Sequence, residues 1–195
     1  MISLFKKKEG TKQVDIEAIL EGTPFKSIIE KQKEYNLESG IMNVYNDVKQ
    51  GRTKRAVKSL RKVINNSNLS NNCEYLHGFV RESWFDKDNR PWGGSYGHGC
   101  SEIFIDLCIV AGKLAKEAGY GYSFYSQFYQ EAKKVLEDQS AGIGFVAVQS
   151  GHNANVYNSI VEWSRNLRKR EEMIHKMEEE NINASSMSYE GGKGK

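Results

Sequence analysis

The sequence predicts an all-α or mainly α fold: a multi-helix bundle with one buried central helix and a long C-terminal helix. Only two prolines occur among the 195 residues, so few positions forbid a helix interior. Apolar residues recur at spacings of three and four along much of the chain, which is the period of an amphipathic helix. Candidate strands are few, and no two of them are of comparable quality as pairing partners.

Three helices are predicted before residue 52. The first is short and ends at Gly22. Thr23 as N-cap and proline at the first helical position predict a second helix over 24–35. A third helix is predicted over 38–50, with Gly51 ending it.

Residues 52–64 predict an amphipathic helix that carries no acidic residue. Its apolar arc consists of Ala56, Val57, Leu60, Val63 and Ile64. The cationic candidates for binding nucleic acid are Arg52, Lys54, Arg55, Lys58, Arg61 and Lys62. Cationic side chains neutralise phosphates and supply most of the non-specific affinity for nucleic acid. A solvated face and a site for an acidic protein are the other interpretations, and no aromatic residue interleaves the cations to suggest base stacking.

The charge of the chain is distributed unevenly. Residues 1–72 carry 14 Lys and Arg against 8 Asp and Glu, whereas residues 73–195 carry 14 against 17. A basic half of this kind is typical of a protein with an anionic partner, although it also occurs as an ordinary solvated surface.

The middle of the chain is predicted to contain the central helix. After a polar loop over 65–72, a helix over 73–85 is expected to turn Leu76, Phe79, Val80 and Trp84 inward. Residues 86–99 are expected to be irregular, and the buried central helix is predicted over 102–115.

Two further helices are predicted beyond residue 119. Over 123–138 the apolar stripe is Phe124, Phe128, Ala132 and Val135, with Tyr125 and Tyr129 beside it. Residues 141–148 fit either strand or helix, and we favour helix or irregular chain. The last helix is predicted over 154–181, with a coiled-coil-like seam of Ile160, Trp163, Leu167, Arg170, Ile174 and Met177. Its second half is expected to project from the core or to pair with another chain.

The domain organisation follows from length and composition. We predict a single helical domain over 1–184 with a basic N-terminal leader, followed by a flexible tail over 185–195. The longest apolar run is interrupted by Asp106 and is much shorter than the roughly 20 residues that a membrane span requires. Three cysteines in a chain of this size favour a reducing compartment. We therefore expect no membrane partner and a cytoplasmic or particle-associated location.

A glycine-rich segment over 90–101 is the main candidate for chemistry. Cys73, His77, His98 and Cys100 together offer the four nitrogen and sulfur ligands of a structural zinc site. Alternatively, Cys100 at the start of a helix is a candidate nucleophile, with His98 as its base. A generic anion site is a further alternative, but no phosphate-binding fingerprint is complete. Apart from the zinc alternative, no cofactor is expected.

These observations predict a non-enzymatic interaction or assembly protein that docks to protein partners as a homo- or hetero-oligomer. A structural component of a larger particle such as a virion fits this prediction. The candidate partner interface consists of Trp92, Tyr96, Ile160, Trp163, Leu167, Ile174 and Met177. Two alternatives stay open: nucleic-acid binding through the helix at 52–62, and an enzyme or zinc-supported domain centred on 90–101.

Overall fold

The computed structural model describes residues 16–33, 36–65, 94–149 and 154–190, which form seven helices and no strand. The helices are α1 (Ile16–Ile19), α2 (Phe25–Lys31), α3 (Glu38–Lys49), α4 (Thr53–Ile64), α5 (Gly94–Glu117), α6 (Tyr122–Gln149) and α7 (Ala154–Glu190). The predicted helical bundle is therefore confirmed. The helix predicted over 73–85 lies outside the described residues. None of the described helices combines the length and the apolar character that crossing a bilayer demands.

Helix α5 is the element around which the others pack. It contacts α2, α4, α6 and α7. Nine of its side chains are fully buried: Ile103, Ile105, Leu107, Cys108, Ile109, Val110, Ala111, Leu114 and Ala115. Because these residues occupy all sides of the helix, α5 has no solvent face along this stretch.

Glycines allow two pairs of helices to approach closely. A Cβ atom added to Gly112 of α5 would overlap the ring of Tyr129 on α6, and one added to Gly40 of α3 would overlap the side chain of Val63 on α4. Both neighbours are buried. The absence of a side chain at each glycine therefore sets the spacing of α5 with α6 and of α3 with α4.

Two helices end in Schellman motifs that turn the chain sharply. At the end of α3, Gly51 has φ 70°, and the amide of Arg52 donates to the carbonyl of Asp47 at 2.8 Å. At the end of α5, Gly119 has φ 77°, and the amide of Tyr120 donates to the carbonyl of Ala115 at 3.1 Å. Glycine tolerates these positive φ angles because it has no Cβ atom.

Several predicted boundaries are wrong. Helix α5 begins at Gly94, so Gly94–Ser101 are helical rather than part of an irregular loop. Residues 141–148 are helical, which is within the favoured interpretation, but α6 runs through them to Gln149 instead of ending at 138. Helix α7 extends to Glu190, beyond the predicted boundary with the tail at 185.

The seam of α7 is buried within the chain itself. Ile160, Trp163, Leu167, Ile174 and Met177 are all buried, and α7 packs against α5 and α6. Lys133 of α6 and Glu178 of α7 add an ion pair at 2.6 Å across one of these contacts. This placement corrects the expectation that the second half of the helix projects from the core, whereas pairing with another chain stays a prediction.

The arginine in the seam has a partner inside the bundle. Arg170 donates from Nε to Oδ1 of Asp106 at 2.7 Å and from Nη2 to Oδ2 at 2.9 Å. Glu102, one turn before Asp106 on α5, lies 3.4 Å from the same guanidinium and 3.6 Å from Nζ of Lys31 on α2. Two carboxylates of α5 are thus matched by one cation from α7 and one from α2.

Candidate functional site

Helix α4 presents its cations on a surface with two distinct flanks. Its apolar residues Ala56, Val57, Leu60, Val63 and Ile64 are all buried, as the helical pattern predicts. At 100° per residue, Arg55 falls on the first flank of the outward face, and Lys54 and Arg61 fall on the second. Lys58 lies near the middle. Each flank meets a different neighbouring element, and the two neighbours have different chemistry.

The first flank borders a polar groove between α3 and α4, here named the α3–α4 groove, with a volume of about 740 Å³. One wall carries the uncharged polar side chains of Ser39, Asn43, Asn46 and Gln50. The other wall carries the cations Arg52, Arg55, Lys58 and Lys62. Among the described residues that line the groove, Asp47 is the only carboxylate, so this lining has an excess of positive charge.

Asp47 organises the cationic wall from the base of the groove. This carboxylate is buried, and it accepts a hydrogen bond from Nε of Arg52 at 2.9 Å. Arg55 lies 3.5 Å from its second oxygen, and the hydroxyl of Ser59 donates to that oxygen at 3.5 Å. The Schellman motif at Gly51 returns the chain over Asp47, which places Arg52 at the mouth of the groove.

The second flank borders aromatic side chains at the start of α6. Tyr120 and Phe124 are stacked, with ring centroids 4.3 Å apart and planes inclined by 19°. Phe124 meets Phe128 edge to face at 5.9 Å. Phe124 is 37% exposed. We name Tyr120 and Phe124 the aromatic edge. Tyr122, two positions before Phe124 on α6, is 54% exposed and meets Tyr125 edge to face instead.

Cations of α4 lie directly over these rings. Nζ of Lys54 is 5.9 Å from the ring centroid of Tyr120, and Cζ of Arg61 is 4.6 Å from that of Phe128. Both distances suit cation–π attraction. Arg61 also pairs with Glu131 of α6 at 2.7 Å. Lys54 and Arg61 are two helical turns apart, about 10 Å, so the cationic flank and the row of rings run side by side.

Three cations of the face, Lys54, Lys58 and Lys62, have no ionic partner among the described residues, and of these Lys54 lies over the ring of Tyr120. Lys58 and Lys62 are exposed and stand one turn apart on α4. Arg52, Arg55 and Arg61 are held by carboxylates of the protein itself. The face therefore combines fixed arginines with two lysines whose charge is available to an anion from outside.

The structure describes only part of the predicted partner and metal sites. Cys73, His77 and Trp92 lie outside the described residues. Tyr96, His98 and Cys100 lie on α5, where the backbone alone is described. The segment that carries His98 and Cys100 is therefore helical and not the predicted loop, and the zinc site itself stays a prediction. Within the described side chains, no group of three or more His, Cys, Asp or Glu could hold a metal ion.

Cys108, the one cysteine whose side chain is described, is not a candidate nucleophile. It is fully buried in α5. Burial raises the pKa of its thiol well above the ordinary value, and the charge of Glu131 adds to that effect. At neutral pH this thiol stays protonated, and a protonated thiol is a poor nucleophile.

The aromatic edge was missed in the sequence because its residues are far from the basic helix along the chain. Phe124 was assigned to the core stripe of α6, together with Val135. Phe128 and Ala132 of the predicted stripe are buried, whereas Phe124 is exposed and Val135 is only partly buried. Tyr125, Tyr129 and Leu136 are the other buried apolar side chains described on this helix. The available signal was the cluster of aromatic residues beside Gly119 and Gly121, since aromatic residues at a turn often lie at the surface.

Comparisons of the chain with protein-family models, with curated proteins and with solved structures give no match. The function is therefore argued from the chemistry of the site.

Proposed function

We propose that this protein is a non-enzymatic nucleic-acid-binding protein that uses the cationic face of α4. One observation carries the proposal: a single helix without acidic residues has a polar, positively charged groove on one flank and the stacked rings of Tyr120 and Phe124 on the other. Positive charge that follows the phosphates, combined with aromatic side chains beside it, is typical of proteins that bind nucleic acid.

The cations of the face divide into two roles. Arg52 and Arg61 are fixed by Asp47 and Glu131, so they hold the shape of the surface. Lys58 and Lys62 are exposed, and we assign them the phosphate contacts, with Lys54 and Arg55 at the sides. A surface whose arginines are already ordered loses less conformational freedom when a ligand binds.

The assembly function predicted from the sequence depended on the seam of α7 as a partner interface. Those side chains are covered by the chain's own helices. The exposed cationic face is the stronger candidate surface, and an acidic protein segment is the competing ligand that an experiment must distinguish from nucleic acid.

The experiment measures binding of the full chain to a fluorescently labelled oligonucleotide by anisotropy over a series of salt concentrations. We expect the logarithm of the binding constant to fall linearly with the logarithm of salt concentration, with a slope of about −3 for four neutralised phosphates. The double variant Lys58→Gln/Lys62→Gln should weaken binding and reduce the magnitude of that slope by about 1.5.

The matched control is Lys169→Gln/Lys176→Gln, which removes the same charge from exposed positions of α7. It should bind like the wild type, since exposed charges beyond the Debye length are screened. Absence of binding at low salt would refute the proposal, as would equal losses in both double variants. Equally tight binding of poly-glutamate, lost in the same variant, would assign the face to an acidic protein instead.

A further inference from the structure

We infer that one strand of the nucleic acid lies lengthwise in the α3–α4 groove. Its phosphates contact the cations of α4, and its sugar hydroxyls or base edges contact a row of uncharged polar side chains from α3. This inference rests on the proposed function, and it adds the residues that contact the uncharged part of each nucleotide. The observation behind it is that the two walls of the groove carry two facing rows of different chemistry.

The two walls of the groove run antiparallel. Gly40 of α3 meets Val63 of α4 at one end, and Asp47 of α3 holds Arg52 at the other. On each wall the polar lining residues recur at spacings of three or four, which places one side chain per helical turn on the groove side. The rows are Ser39, Asn43, Asn46 and Gln50 on α3, and Arg52, Arg55, Lys58 and Lys62 on α4. A ligand built from repeating units therefore meets the same pair of contacts at each turn.

The length of the groove fits several consecutive nucleotides. At a rise of about 1.5 Å per residue, the cation row over 52–62 spans about 15 Å, and the row over 39–50 spans about 17 Å. A stacked strand carries one phosphate for roughly every 3.4 Å of its axis, so about four phosphates lie alongside the cations. This number agrees with the four neutralised phosphates that set the expected salt slope.

The row on α3 is uncharged, which leaves the charge of the facing lysines available. All four of its side chains are exposed, and carboxylates at these positions would attract the cations opposite and cancel much of their charge. Asp47 is the one carboxylate among the described lining residues, and it is buried and bound to Arg52. Lys58 and Lys62 therefore face amides across the groove and keep their charge for phosphates.

Amide side chains suit the uncharged half of a nucleotide. Asn43, Asn46 and Gln50 each offer two N–H donors and a carbonyl acceptor. Sugar hydroxyls both donate and accept, and base edges show donors beside acceptors. Phosphate oxygens only accept, and the cations of α4 supply charged donors for them. Each nucleotide in the groove can thus use both walls at once.

The test compares an oligonucleotide with inorganic polyphosphate, a chain of phosphates without sugars or bases, using the full chain. Asn43→Ala/Asn46→Ala removes two amides from exposed helical positions, where alanine is a good helix former. We expect this double variant to bind the labelled oligonucleotide about tenfold more weakly, which corresponds to roughly 1.4 kcal/mol for two lost hydrogen bonds. Its salt slope should stay unchanged because no cation is removed. Its affinity for polyphosphate, measured by competition, should equal that of the wild type.

A second comparison identifies the partner of the amides, with RNA and DNA strands of the same sequence. A preference for RNA that Asn43→Ala/Asn46→Ala abolishes would assign the amides to the 2′-hydroxyl groups. Equal losses with both strands would assign them to the base edges. Either result supports the inference, since both groups belong to the uncharged part of the nucleotide.

The matched control is Gln130→Ala/Asn158→Ala, which removes two exposed amides that do not line the groove. It should bind both ligands like the wild type. Wild-type oligonucleotide binding by Asn43→Ala/Asn46→Ala, with binding still lost in Lys58→Gln/Lys62→Gln, would overturn this inference and leave the proposed function standing. Equal losses toward oligonucleotide and polyphosphate would also overturn it, because the amides would then contact phosphates. Absence of oligonucleotide binding by the wild type would overturn both.

Discussion

The guanidinium of Arg170 on α7 binds both carboxylate oxygens of Asp106 on α5, at 2.7 Å and 2.9 Å. Asp106 is 1% exposed and Arg170 11% exposed at the side chain, so the pair is inside the bundle. A bidentate pair of this kind fixes direction as well as distance. It sets the register of α7 against α5, which apolar side chains alone specify weakly.

Removal of one partner from this pair should strongly destabilise the fold. We expect Arg170→Met or Asp106→Leu to lower the free energy of unfolding by about 3–5 kcal/mol each, because the remaining charge is buried without a partner. The double variant should lose less stability than the two single variants added together, since it leaves no unpaired charge. Chemical denaturation of the four proteins measures this coupling.

The control is Arg168→Met, two residues earlier on the same helix. Arg168 is 81% exposed and pairs with the exposed Glu172, and substitution at such a site usually changes stability by less than about 0.5 kcal/mol. If Arg168→Met lowered the free energy of unfolding as much as Arg170→Met, the role given to the buried pair would be contradicted.

The pH dependence of stability should show the unusual position of Asp106. Burial raises the pKa of its carboxyl above the ordinary 3.8, and the hydrogen bond and charge of Arg170 oppose that rise without cancelling it. Glu102 on the same helix adds to the rise, and Lys31 of α2 opposes it. Just above pH 3.8 the folded state therefore holds this proton more often than the unfolded state.

It follows that the contribution of Asp106 to stability is fully present below its unfolded pKa and decreases as the pH rises through its folded pKa. We expect the difference in unfolding free energy, wild type minus Asp106→Asn, to be larger at about pH 4 than at about pH 7. Denaturation of both proteins across this range measures the difference. An increase of the difference with rising pH would mean that Arg170 outweighs burial and lowers the pKa.

The close contact of α5 with α6 predicts the effect of a single methyl group. Gly112→Ala places a Cβ atom against the ring of Tyr129, and overpacking of a buried contact costs about 1–3 kcal/mol. Gly121→Ala is the matched control, because nothing lies within 4 Å of the added atom. Thermal unfolding should show a loss for the first variant and little change, or a small gain, for the second. Equal effects would show that the helices can separate without cost.

Tyr129 carries a buried hydroxyl group that has no hydrogen-bond partner within the described part of the chain. Burial also raises the pKa of this phenol, with the nearby Tyr125 adding to the effect. Tyr129→Phe removes the unsatisfied group and keeps the ring, so we expect the free energy of unfolding to rise by about 1 kcal/mol. Chemical denaturation checks this value. A loss of stability would indicate that the hydroxyl has a partner in solution.

The helical fold could be predicted from periodicity because each helix buries one face. The pattern of α4 was recovered residue by residue, since its apolar and cationic residues alternate at helical spacing. The start of α5 was missed because Gly94, Gly97 and Gly99 have low helix propensity and are typical of loops. Gly142 and Gly144 also have low helix propensity, so the predicted helix ended at 138. The helix α6 nevertheless continues through both glycines.

The candidate site was only half predictable. The cations of α4 are local in sequence, whereas Tyr120 and Phe124 reach them through tertiary packing across a separation of more than 50 residues. The seam of α7 shows the same limit of prediction from sequence. A period of three and four predicts that a face is buried, but it does not say whether the covering surface belongs to the same chain.

The central position of α5 has a consequence for synthesis on the ribosome. Helices α2 and α4 leave the ribosome first, and Ile28 and Leu60 on them are fully buried in the finished protein. Both helices pack on α5, which is made later. Until α5 emerges, their apolar faces stay open to water, and nascent chains with such faces are targets of chaperones. Arg170 on α7 is made later still, so Asp106 has no guanidinium partner until α7 has emerged.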